Sequence, residues 1–311
     1  MSQREIVCED LGAGLDELRA QGFRLDLIYP ADDPHTAVLS NADEAVRLTR
    51  RPGAAEPSDR LPPFAPEFVL TRAGASPGQG RAGMLYRDLI PTRLGGRYIA
   101  SHISIPDGGP VSDWVHFHNI ALQMIAVRRG WVRVVYEGGG EPFVMAEGDL
   151  VIQPPAIRHR VLESSPGLEV VEISAPALHA TYADHRLELP SGSNPGRIFG
   201  GQRFLRHVAA DTPWTPANGG EAQETEVEPA TSGLAEVRTL RPRNGETLSF
   251  GGHHGELTFG FVLDGSAMLD CRGMHELGPA DAFAIPPGQP WQLTHPSDDF
   301  RLLHVTTAAL D

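Results

Sequence analysis

Four side chains near the middle of this 311-residue chain have the type and spacing to hold a transition metal. His116 and His118, in the run WVHFHN, are two residues apart. On an extended strand residues i and i+2 project to one face, so both imidazoles can enter the same space. Gln123 follows at the start of the next apolar run, and His159 comes after the turn sequence PPAIRH, on a strand that can return beside the first pair. Three neutral imidazoles converging inside a β-barrel suit a first-row divalent metal, with Gln123 either a weak fourth ligand or a hydrogen-bond partner in the catalytic pocket. His102, in the alternating run RYIASHISI, is a further catalytic candidate if it turns inward behind the metal; the alternative is a hydrogen-bonded core histidine. Arg158 has the opposite strand parity to His159 and is expected to point away. Arg128 and Arg129 sit at a turn, where solvated charge is the default. Gln153 and Tyr136 can lend hydrogen bonds, and Asp184 and His185 in YADHRLE are expected in a loop, ranked below the histidines as a metal site.

The elements that would position these residues are short. With 34 Gly and 27 Pro spread along the chain, turns are frequent and the sequence reads as mainly β. A helix is predicted over 11–21 (LGAGLDELRAQ), where Leu15 and Leu18 are three apart and Gly22 provides a stop. FRLDLIYP then alternates as a strand, and EAVRLTR is another short element. Between Arg51 and Gly83 the composition shifts to Pro, Gly, Ala and Ser, which predicts a linker or surface excursion. From Met84 to Pro176 short apolar runs separated by Gly and Pro predict a sandwich or small barrel. Residues 180–218 are irregular, and the β pattern resumes at about Glu224.

The two β-rich halves align as an internal repeat. Gly130 corresponds to Gly265, Asp149 to Asp281, Pro154 and Pro155 to Pro286 and Pro287, and His159 to Trp291. Thr258 stands where Gln123 does. His253 and His254 remain in the second copy without partners, so they are expected at the surface or a subunit contact, with no metal there and Trp291 plugging the vacated space.

The first copy resembles the cupin superfamily, whose motifs have the forms G-x5-HxH-x3,4-E-x6-G and G-x5-PxG-x2-H. His116, His118 and Gly130 fit the first, with Gln123 in place of its Glu. Gly148, Pro154 and His159 fit the second, with Ala156 in place of its Gly. The resemblance covers Met84 to Pro176 and, more loosely, Glu224 to Thr307. It implies an all-β chain of tandem jelly-roll barrels (double-stranded β-helices) behind a short helical N-terminal extension. The units expected are 1–83 (extension and linker), 84–180 (metal-binding cupin), 181–223 (interdomain segment) and 224–311 (degenerate cupin). Because Gln123 removes the only anionic ligand, the chain is similar to three-His non-haem iron dioxygenases. The resemblance implies one divalent metal, Fe(II) first, with Zn, Mn, Ni or Cu as alternatives, and assembly as a homodimer or higher oligomer.

Composition narrows the partners. Lys and Arg total 26 against 40 Asp and Glu, a net charge of −14, which disfavours nucleic acid and anionic membrane surfaces. No apolar run reaches the roughly 18 residues that span a bilayer. The start of the sequence has no apolar signal region, and a cytoplasmic setting is expected. Two distant cysteines, Cys8 and Cys271, exclude a disulfide framework. The function expected is a dioxygenase that joins dioxygen to a small oxygenated aromatic, diketone or hydroxy acid. The alternatives are a metal-dependent isomerase or lyase, disfavoured by the missing Glu, and a non-catalytic small-molecule-binding cupin.

Overall fold

Residues 3–50 build a small layer of strands and one helix that extends a sheet of the barrel carrying the histidines. In the computed structural model, which describes residues 3–58 and 60–310, the helix Leu11–Ala20 buries Leu11, Leu15 and Leu18. Asp10 caps it by accepting the Ala13 N–H at 3.0 Å, and Gly22, with φ of 87°, supplies the left-handed residue that ends it. Its apolar stripe packs on Leu25, Leu39, Val46 and Leu48 of the strands Arg24–Tyr29, Thr36–Ser40 and Ala45–Thr49, the last formed by EAVRLTR. Arg24–Tyr29 then pairs with Thr181–Ala183, which pairs in turn with His116–His118. The N-terminal layer therefore extends the sheet that carries His116 and His118, and YADHRLE, expected as a loop, begins as a strand within it.

Two facing sheets form the first barrel. One contains His116–His118, His159–Ser164, Trp131–Tyr136 and Phe143–Ala146. The other contains Leu85–Asp88, Ile99–Ile105, Leu168–Ala175, Leu122–Arg129 and Leu150–Ile152. The second sheet is covered on both sides. One face lines the barrel interior, and the other, including Ala100, Met124, Val171 and Ile173, shares a core with Val237, Phe259, Phe261 and Val305 of the second barrel. This double burial explains why LQMIAVR and LEVVEIS read as nearly continuous apolar runs rather than clean alternations.

The second barrel repeats the first. Its sheets comprise Ala235–Pro242, Arg301–Thr307, Thr258–Asp264 and Ala282–Ile285 facing Leu248–Phe250, Trp291–Thr294, Ala267–Asp270 and Met274–Leu277. Gly130 and Gly265 have φ of 78° and 69°, and a Cβ on either would fall 2.3 or 2.5 Å from a serine Oγ, so both hairpins require glycine. Asp149 and Asp281 each accept the backbone N–H three residues earlier, at 3.0 and 3.1 Å. The Pro/Gly-rich stretch contributes to both barrels: Val69–Thr71 pairs with Ala282–Ala284, and Gly78–Gln79 pairs with Leu85 and Tyr86.

The interiors of the two barrels differ. Phe250 lies opposite Trp291 as His116 lies opposite His159. Phe250 and Trp291 stack with centroids 3.9 Å apart, and the Phe283 ring meets Trp291 edge-on at 5.3 Å. A packed aromatic cluster thus fills the space that imidazoles surround in the first barrel. His253 is spent on the Thr307 carbonyl, its Nε2 2.8 Å away.

Candidate metal centre

Strand pairing converts the sequence spacing into one cluster. His116 lies directly opposite His159, and His118 projects from the same face of its strand two residues on. The turn before His159 is tied to the His118 strand by the Ala156 N–H, which donates to the His118 carbonyl at 2.9 Å. Ala156 itself has φ of 60°, a left-handed conformation that costs an alanine about 1 kcal/mol, and the matching position in the second barrel is Gly288. Nitrogens of His116, His118 and His159 lie within 4.8 Å of one another, and all three rings are buried. Among the described residues this is the one group of three or more His, Cys, Asp or Glu side chains with such convergence.

The hydrogen bonds fix which nitrogen faces inward. Nδ1 of His116 donates to the Trp114 carbonyl at 2.7 Å, Nδ1 of His118 to the Ala180 carbonyl at 3.2 Å, and Nδ1 of His159 to the Ile157 carbonyl at 3.1 Å. A carbonyl only accepts, so each ring carries its proton on Nδ1 and keeps its lone pair on Nε2, the tautomer a metal requires. Burial and neighbouring positive groups hold the His116 and His118 pKa values well below 6.5. Burial brings that of His159 down to about 4. The donor set fits a first-row divalent metal: three neutral, preoriented imidazoles and room for other ligands.

The depressed values give a pH prediction for the metal-free protein. Above pH 6.5 the imidazoles are neutral both folded and unfolded, so they add no pH dependence. Below 6.5 the unfolded chain binds protons that the native site refuses, and stability falls until the native pKa is reached. For His159 alone the loss is about 2 kcal/mol by pH 5 and about 3 kcal/mol in full, with His116 and His118 acting in the same direction. Urea denaturation at pH 7 and pH 5 checks this, and equal stabilities would contradict it.

The histidines stand at the polar end of a cavity whose other walls include Met84, Ile103, Val132, Met145, Leu168 and Val170. Its free volume is about 70 Å³, several times the roughly 10–15 Å³ that a single water occupies, so it admits a small molecule. Gln123 enters from the facing sheet; its Nε2 donates to Glu172 Oε1 at 3.1 Å, while its buried Oε1 has no hydrogen-bond partner among the described residues. Gln153 and Tyr136 also face the cavity and bond each other at 2.9 Å, and the Tyr136 ring stacks on His159.

His102 does not reach this space. It lies on the opposite face of its strand from the cavity-lining Ile103 and Ile105, with Nε2 2.9 Å from Glu169 and its ring 5.7 Å from Phe261 of the second barrel. The alternation in RYIASHISI is real, but both faces of that sheet are buried, so parity alone does not tell the cavity from the barrel–barrel core. Arg158 points away, with Nε 2.9 Å from Asp184.

Two cavity-lining groups, Arg81 and Glu172, and the buried Asp113 behind them carried no functional assignment from the sequence. Arg81, from the Pro/Gly-rich stretch, is buried with Nη1 2.5 Å from Asp113 Oδ1, and its Nη2 donates to His116 Nε2 at 3.1 Å. Asp113 also accepts the Val161 N–H at 2.9 Å. Glu172 supplies a carboxylate from Leu168–Ala175. An acidic residue three before His116, and a Glu within an apolar run, were the available signals for Asp113 and Glu172; Arg81 carried none.

No protein-family model and no curated protein matches the chain. Solved structures do. A deletion mutant of Bacillus subtilis oxalate decarboxylase superposes with a TM-score of 0.56 at 10% identity, over 85% of this chain and 81% of that one. Salicylate 1,2-dioxygenase from Pseudaminobacter salicylatoxidans gives 0.57 at 18% identity, over 79% and 86%. Protein Ylba from E. coli gives 0.58 at 11% identity, over 80% and 94%. The chain has the bicupin fold: two cupin barrels in tandem, with a three-histidine cluster in the first. At these identities the likeness is one of architecture and assigns no reaction. Among the described residues no helix is long and apolar enough to cross a membrane.

Proposed function

We propose that this chain is a non-haem iron(II) dioxygenase acting on a small oxygenated aromatic or diketone, with His116, His118 and His159 as the metal ligands. The observation that carries this reading is the set of three inward-facing neutral Nε2 atoms in a small cavity that also has Ile, Val, Leu and Met walls. A bound iron would supply the electron chemistry that couples dioxygen to an organic molecule. The chain itself does the positioning. Backbone carbonyls fix the imidazoles, the Ile, Val, Leu and Met walls limit water and favour a flat or branched carbon skeleton, and the Oε1 atoms of Gln123 and Gln153, which have no partner among the described residues, can accept substrate hydroxyls. Gln123 serves here as a positioning residue, its amide committed to Glu172. A wholly polar substrate such as a dicarboxylate would leave those walls unmatched.

One observation favours a second reading, metal-dependent isomerase or lyase chemistry: Glu172 places a carboxylate in the cavity although none stands at position 123. The test is elemental analysis of protein purified without chelator, then oxygen uptake by the iron(II)-loaded protein with catechols, hydroxybenzoates and diketones. Near one metal per chain and substrate-dependent oxygen consumption are expected. Turnover under strict anaerobiosis would favour the second reading. Ligand-induced stabilisation without turnover would mark a binding protein.

A further inference from the structure

We propose that Glu172 is the proton acceptor of the first barrel, a carboxylate that takes the proton from a substrate hydroxyl or enol as that oxygen approaches the histidine cluster. The inference rests on the metal-site reading above and adds a catalytic residue to it. The O–H bond of the substrate breaks, its electron pair stays on the substrate oxygen, and the proton moves to Glu172 Oε2. No further reactant is needed.

The placement follows from register. Gln123 lies opposite Ser174, and Ile125 lies opposite Glu172, so all four side chains face the interior while Val171 and Ile173 enter the core between the barrels. The second barrel gives an independent check on direction. Gly260 lies opposite His304 as Ile125 lies opposite Glu172, and His304 is buried against Phe250 and Trp291 inside that barrel. The same strand position therefore looks inward in both copies.

Glu172 is held at one end and open at the other. Oε1 accepts from Gln123 Nε2 and from Ser174 Oγ, each at 3.1 Å, which fixes the carboxylate plane. Among the described residues Oε2 has no hydrogen bond, and no cation forms an ion pair with Glu172. Arg81, a cation of the same cavity, is already paired with Asp113. The other titratable groups lining the space are Tyr86, Tyr136, Arg160 and the three histidines. Gln123 acquires a reason as well: a glutamate there would bring a second carboxylate to about the 3.1 Å at which the amide now donates, and two carboxylates so close cannot both stay ionised without cost.

The test compares wild type with Glu172→Gln, which keeps an acceptor oxygen for Ser174 and Gln123 but cannot take the proton. Both are loaded with zinc(II), which adds no charge-transfer band, and titrated with 4-nitrocatechol, whose visible absorption reports its own ionisation. Equal zinc content and similar melting temperatures are expected in both. The variant should bind the probe about tenfold more weakly at pH 6.5, and its ionised band should appear about one pH unit higher. If both proteins take up zinc and titrate the probe alike, the metal reading stands and the proton-acceptor assignment is overturned. If neither takes up metal, both fall together.

Discussion

His118→Ala is expected to reduce bound metal from about one ion per chain to below about a tenth, with the barrel still folded. Three imidazoles form the proposed donor set, and His118 contributes one Nε2 whose direction is set by the 3.2 Å bond from Nδ1 to the Ala180 carbonyl. Removing it leaves two imidazoles, which for a divalent ion at near-neutral pH means a loss of more than about a hundredfold in affinity. The backbone around it is held independently, because Phe117 pairs with Tyr182 and the His118 carbonyl accepts the Ala156 N–H. The metal-free variant should therefore lose only about 1–3 kcal/mol, from the cavity and the unpaired Ala180 carbonyl. Elemental analysis and urea denaturation read the two effects separately. Stoichiometric metal in the variant would remove His118 from the ligand set.

Asp113→Ala should be far more damaging to stability, by about 3–5 kcal/mol, although Asp113 is not a proposed ligand. Its side chain is fully buried and neutralises Arg81 through the 2.5 Å Nη1–Oδ1 contact, while Oδ2 accepts the Val161 N–H. Truncation strands a guanidinium in the barrel and leaves a ladder N–H unsatisfied. Against a typical total of about 5–15 kcal/mol, such a loss brings a domain close to unfolding. Removing both charges in Arg81→Met/Asp113→Ala should recover part of the loss, because the stranded charge is gone. Arg81→Met alone should raise metal affinity by about tenfold or more. The guanidinium holds the His116 Nε2 lone pair at 3.1 Å and places positive charge where a divalent ion must approach, so metal uptake has to displace it. Urea denaturation of the variants reads the stability changes, and calorimetric metal titration of Arg81→Met reads the affinity. An Arg81→Met protein that binds metal no better than wild type would show that the guanidinium does not compete for His116.

These expectations differ in how far ahead of the structure they could be seen. His118 was legible because HFH puts two imidazoles on one face wherever the strand ends up, and because Gly130, Pro154 and His159 reproduce the spacing of two known motifs. The repeat was legible in the same way, since Gly130 and Gly265 are hairpin residues that must adopt positive φ. His102 shows where alternation stops helping. Its strand is buried on both sides, so inward toward the cavity and inward toward the second barrel look identical in sequence. Arg81 was hidden by its surroundings: the composition of 51–83 predicts an excursion, yet that stretch is drawn into both barrels by pairing at Val69–Thr71 and Gly78–Gln79.

By itself the sequence determined what depends on neighbours along the chain: the β class, the two-barrel repeat, the turns that need glycine, and the three histidines able to share a face. The tertiary structure decided what depends on partners far apart in sequence. It set Glu172 beside Gln123, Arg81 between Asp113 and His116, and Phe250 on Trp291 where the first barrel has its imidazoles. The physical reason is that side-chain parity is a local property with a period of two residues, whereas cross-strand register is fixed only when the sheets pair and the barrel closes.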